Sequence, residues 1–139
     1  IENGIKGAIS GGLRVKTWWI IVLPGGTYNE QLESIDLIAE TKPHEVAVHT
    51  FVPLPGTDYC ENSQEYGIHL PPLNNLENLY YNGSPEDIKL DYLTAHEMKN
   101  FISIYDSELQ NLGYTPTDKA KHETKYIYTS PSLKKTFKG

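Results

Sequence analysis

The chain has 139 residues, 38% hydrophobic and 22% charged, enough for one folded domain with its own core and too ordinary in composition for a disordered segment. Eighteen acids against 12 bases give a formal charge of −6, which repels phosphate backbones and argues against nucleic-acid partners. A single cysteine, Cys60, excludes an internal disulfide and an all-cysteine metal cage, and fits a reducing, cytoplasmic setting.

No run of eighteen apolar residues occurs, so neither a membrane span nor a signal peptide is expected. The chain opens on isoleucine rather than methionine, as expected of a processed product or an excised fragment. The first ten residues read as a short helix stopped by Gly11-Gly12, because glycine is the cheapest residue in a left-handed cap. Residues 13–23, LRVKTWWIIVL, start by alternating and become continuously apolar, the pattern of a parallel strand buried on both faces.

Pro24-Gly25-Gly26 ends that strand. Thr27 with Glu30 three residues on forms a capping-box pattern that opens a helix running to about Thr41. Leu32, Ile35, Leu37, Ile38 and Ala39 fall on its apolar side, with Glu33, Asp36 and Glu40 largely elsewhere. Pro43 breaks this helix, and EVAVHTF, residues 45–51, is a second strand rich in β-branched and aromatic residues. Strand, helix and strand make a βαβ unit and hence a parallel sheet.

From Pro53 to about Asp91 the pattern is irregular and rich in proline and tyrosine, a length of loop that is usually functional or packed onto a larger body. A helix follows from Thr94, with Met98, Phe101, Ile102, Tyr105, Leu109 and Leu112 on its apolar side and Gly113 as its stop. Residues 125–129, KYIYT, form a short strand.

Two segments, WWIIVLPGGTYNEQLESIDLIAE and KPHEVAVHTFVPLPGT, resemble the fifth and sixth β/α units of radical SAM enzymes. There a strand ending in Gly-Leu-Pro-Gly-Glu-Thr leads into a helix, and the next strand ends in a Pro-Leu-Pro-Gly-Thr-like turn. The resemblance covers roughly Gly12 to Tyr59. It implies an α/β fold consisting of the later β/α units of a partial barrel over residues 1–59, followed by an irregular and helical C-terminal extension over residues 60–139. It also implies S-adenosylmethionine and a [4Fe-4S] cluster as cofactors of the full-length enzyme, with reductive cleavage of the former giving a radical that abstracts hydrogen. The three cluster cysteines of the family's CxxxCxxC motif have no counterpart in this chain, so the remainder of the barrel, from an upstream segment or another chain, is the expected partner. A small molecule or peptide is the expected substrate.

Carried over by the two turns, Ile20, Ile21 and Val22 stand beside the adenosyl group, and Phe51, Val52, Pro53 and Leu54 supply backbone and apolar contacts to adenine. Val22 replaces a customary glycine, and Gly26 a customary glutamate. His49 shares strand parity with Ala47 and Phe51, so that it either faces a barrel lumen and bonds a ligand or is a satisfied rim residue. Trp18 and Trp19 point to opposite sheet faces. His44, His69, His96 and His122 form no zinc-ligand spacing, and His96-Glu97 lacks the second histidine of a metalloprotease helix, which leaves it a capping or surface role. No residue presents itself as catalytic. The alternative from another class is a stand-alone module whose tyrosine-rich loops recognise a protein or a small ligand.

Overall fold

The computed structural model describes residues 1–72, 88–119 and 125–132. Tyr80, Tyr81, His122 and the basic tail at Lys134 and Lys135 lie outside the described residues. The chain is mixed α/β. Its elements are α1 (Glu2–Ser10), β1 (Lys16–Ile21), α2 (Tyr28–Thr41), β2 (Glu45–Thr50), the short α3 (Asp58–Glu61), β3 (Ile68–His69), β4 (Lys89–Leu90), α4 (Ala95–Asn111), β5 (Thr115–Lys119) and β6 (Lys125–Thr129).

The local chemistry of the elements follows the sequence closely. At the end of α1 it is Gly12, at φ 83, that takes the left-handed turn. Thr27 and Glu30 close the expected capping box on α2, with the Thr27 N–H donating to Glu30 Oε2 at 2.8 Å. Thr94 and Glu97 repeat the device on α4, which assigns Glu97 the capping role. Lys42 takes a left-handed φ of 50 at the end of α2, and the buried Pro43 that follows prevents further helix. His44 then ties the sheet together, since its Nδ1 accepts the Val15 N–H at 3.0 Å and its carbonyl accepts the Ser130 N–H at 2.9 Å.

Four strands form one sheet in the order β1-β2-β6-β5. β1 and β2 pair in parallel, with Trp18 beside Ala47 and Ile20 beside His49. An all-parallel sheet is not what the rest of the chain builds, because β6 joins β2 antiparallel and β5 joins β6 antiparallel. β5 was invisible in the pattern: TPTDK has no alternating apolar residues, and pairing with β6 rather than propensity makes it a strand. It carries Pro116 and a bulge between residues 116 and 118, both features of a protected edge. The region from Pro53 to Asp91 is less irregular than expected where it is described, containing α3, a 3-10 turn at Ser63–Tyr66 and the two-residue pairing of β3 with β4.

Helices α2 and α4 lie against one face of the sheet. That face presents Ile21, Val46, Val48 and Tyr128 to Ile35 and Ile38 of α2 and to Met98, Phe101, Tyr105 and Leu109 of α4, in one continuous core. Each of these fully buried side chains contributes about 1.5–3 kcal/mol. Leu112, expected on the apolar side of α4, is instead its exposed C-cap. Three hydrogen bonds stitch the layers: Tyr114 donates to the Pro43 carbonyl at 2.6 Å, Tyr128 to Asp106 Oδ1 at 2.6 Å, and Ser34 and Tyr105 share a bond of 2.7 Å between α2 and α4.

Candidate functional site

The carboxyl ends of β1 and β2 lie side by side because the strands are parallel and in register, and the register continues as the Phe51 N–H donates to the Ile21 carbonyl at 2.8 Å. Strand termini of this kind leave backbone groups free of the sheet and are where parallel α/β folds place ligands. Two clefts open here, one on each side of β1.

The first is a groove of about 450 Å³ on the sheet face away from α2 and α4. Its walls come from β1 (Trp18, Trp19, Ile20), Leu23 in the turn after it, the end of β2 (His49, Thr50) and the segment that follows (Phe51, Val52, Leu54), with Tyr59 beyond. The surface is apolar and strongly exposed: Trp18 is 56% and Ile20 57% accessible. Trp18 stacks on His49 with ring centroids 5.2 Å apart, and Lys16 Nζ sits 4.6 Å from the Trp18 ring centroid. Tyr59 meets Phe51 edge to face at 5.1 Å and Tyr66 at 4.7 Å. Tyr66 in turn donates to Asp58, and that hydroxyl, with the Asn62 amide, holds the Asp58 carboxyl below its ordinary pKa. Thr50 is only 4% accessible, and its hydroxyl has no hydrogen-bond partner among the described residues. A buried hydroxyl left this way costs free energy.

The second cleft, of about 500 Å³, lies between the Pro24-Gly25-Gly26 turn and the start of α4. Gln31 braces the turn from within α2, its Oε1 accepting the Leu23 N–H at 3.0 Å and its Nε2 donating to the Gly26 carbonyl at 3.2 Å. Val22, at the floor, is buried with a left-handed φ of 64. A β-branched residue at positive φ is a genuine outlier whose strain the surrounding fold must hold. It stands at the position where the resembled turn carries glycine.

No family model, curated protein or solved structure matches this chain.

The positions expected from sequence to touch a ligand divide three ways. Ile20, His49, Phe51, Val52 and Leu54 come together in the first groove. Val22 lines the second cleft instead. Ile21 and Pro53 are fully buried and line neither, Ile21 because strand alternation turns it toward the helices. Thr50 and Tyr59 were missed. Thr50 sits on the helix-facing parity of β2, and Tyr59 reaches the groove only through the turn after Pro53, a route that strand periodicity does not reveal. Among the described residues no group of three or more His, Cys, Asp or Glu side chains could hold a metal ion, and Cys60 is buried in the core. No helix among them is long and apolar enough to cross a membrane.

Proposed function

We propose that this chain is the C-terminal portion of a radical SAM enzyme, in which the open sheet face and its groove close the S-adenosylmethionine pocket and shape the substrate site. The remainder of the barrel then comes from an upstream segment or another chain, in a reducing cytoplasmic setting. The observation that carries this reading is the uneven cover of the sheet. Helices α2 and α4 take one face, and among the described residues the other keeps an apolar, aromatic groove at the carboxyl ends of two parallel strands, which is consistent with staves whose barrel is completed elsewhere.

The residues present fit an adenosyl group. Trp18, Ile20, Phe51 and Leu54 give a flat purine apolar surface. His49, stacked on Trp18, orients that wall. The [4Fe-4S] ligands belong to the other part of the enzyme, because one buried thiol cannot hold a cluster. When bound, cluster and cofactor together supply hydrogen-abstracting radical chemistry. The role of this chain is to orient the adenosyl end and exclude water from it.

The test is to capture the native protein from its source cells with an antibody against this chain, sequence its peptides, and assay it without oxygen for 5′-deoxyadenosine release from S-adenosylmethionine. A native chain much longer than these 139 residues, with an upstream three-cysteine motif and nucleoside release, is the expected result. A native chain of this size that neither releases nucleoside nor copurifies with a cluster-bearing partner overturns the proposal.

A further inference from the structure

The second cleft makes no use of the radical SAM reading, and its lining is chemically distinct from that of the open groove. Tyr28, Phe101 and Tyr92 form its aromatic wall, with Tyr28 and Phe101 edge to face at 5.1 Å. Glu97 is the one charged residue that lines it among the described residues, and neither lysine, arginine nor histidine does so. Asn100 adds an uncharged polar group.

Two helices, α2 and α4, begin at this cleft, which at first sight favours an anion. Both starts are already occupied. Glu30 accepts from the Thr27 N–H and Glu97 from the Thr94 N–H, each at 2.8 Å. Those backbone bonds, followed by the threonine hydroxyls, hold both carboxyls below their ordinary pKa. A helix start carries about half a positive charge and an ionised carboxylate a full negative one, so the mouth is net negative. An aromatic wall beside a fixed carboxylate is the chemistry that recognises organic ammonium groups, through ring quadrupoles and charge together. The volume, about 500 Å³, is that of a small-molecule site.

We propose that the cleft between the Pro24-Gly25-Gly26 turn and the start of α4 binds a small organic cation, its ammonium group held between Tyr28, Tyr92 and Glu97. Tyr92 keeps its proton throughout, since burial pushes its phenol up to about 12, and the ring stays a neutral π-surface. The strained Val22 at the floor fixes the depth of the cleft.

The experiment titrates the full chain with choline and, separately, with 3,3-dimethylbutan-1-ol, which has the same shape without the charge, following amide shifts by NMR. Choline is expected to bind about tenfold or more tightly than the alcohol, with the largest shifts at Tyr92 and Glu97. Tyr92→Leu and Glu97→Gln are each expected to weaken choline about fivefold, and the glutamine preserves the capping box so that the fold survives. Equal affinity for both probes, no saturable binding of choline, or affinity unchanged in Glu97→Gln overturns the proposal.

Discussion

The two faces of the sheet are built from alternate residues of the same strands, yet they answer different demands. On one, Ile21, Val46, Val48 and Tyr128 are sealed beneath α2 and α4. On the other, Trp18 and Ile20 stand in the open, while Ala47, a methyl between two large cross-strand neighbours, Trp18 and Ile127, is wholly buried. The sealed face holds the fold together. The open one contributes little to it and is available for recognition, because exposed apolar surface of this kind marks an interaction site. The two sheet edges repeat the contrast. β5 carries Pro116 and a bulge, whereas β1, at the opposite end of the order, has neither.

The largest effect expected from this contrast compares Leu109→Ala with Ile20→Ala. Leu109 is fully buried, and its truncation is expected to cost about 3 kcal/mol through lost transfer energy and the cavity left behind. Ile20→Ala on the open face should change stability by less than about 0.5 kcal/mol. Urea denaturation of both variants checks this. A comparable loss for Ile20 would mean that the open face is packed in the chain on its own, and the division of labour would fail.

Alkaline titration probes the sealed layer in particular, because Tyr105, Tyr114 and Tyr128 place buried phenols there. Burial pushes Tyr105 and Tyr114 from 10.0 up to about 12 each, and Tyr128 is raised as well, first by burial and then by its bond to Asp106. Their folded values lie above the unfolded one, so the folded state binds more protons in that window. The stability they contribute is present in full below about pH 10 and is lost as pH rises toward about 12. Urea midpoints measured across that interval should fall, and Tyr114→Phe should flatten the fall. A midpoint independent of pH there would show the phenols to be solvated.

How much of this was legible in the sequence depends on whether a feature is local. The capping box at Thr27 and Glu30, the start of β2, both ends of β6, and the buried stripe Met98, Phe101, Tyr105 and Leu109 all follow from spacing, because the physics involved acts within a few residues. The antiparallel entry of β6 beside β2 and the existence of β5 depend on partners many residues away, which periodicity does not encode. The groove was half legible. The turn resemblance pointed to Ile20 and parity to His49, but neither could say that Thr50 would line the groove too, or that Tyr59 would return to meet Phe51.

Next in size is the cap of α4. Thr94→Ala removes the hydroxyl that accepts the Glu97 N–H at 3.2 Å, and a cap of this kind is worth about 1 kcal/mol. Thermal melting should show the loss, and Thr94→Ser should restore most of it. The change also frees Glu97 from one of its anchors, so the second cleft should lose order while the open groove keeps its geometry, a difference that amide shifts resolve. Equal perturbation of both clefts would show them to be one mechanical unit.

The smallest expected effect is the most instructive, because two terms oppose each other at one residue. Val22 is buried, and burying a valine side chain is worth about 1.5–3 kcal/mol. Its left-handed φ of 64 costs about 1–3 kcal/mol for a branched residue. Val22→Gly removes both terms and should leave stability within about 1 kcal/mol of the parent by urea denaturation, where an ordinary buried Val→Gly change would cost several. Val22→Ala keeps the positive φ and gives up most of the packing, so it should be the less stable of the two. If glycine is the more damaging substitution, the side chain outweighs the strain, and Val22 is held for its packing rather than for the turn.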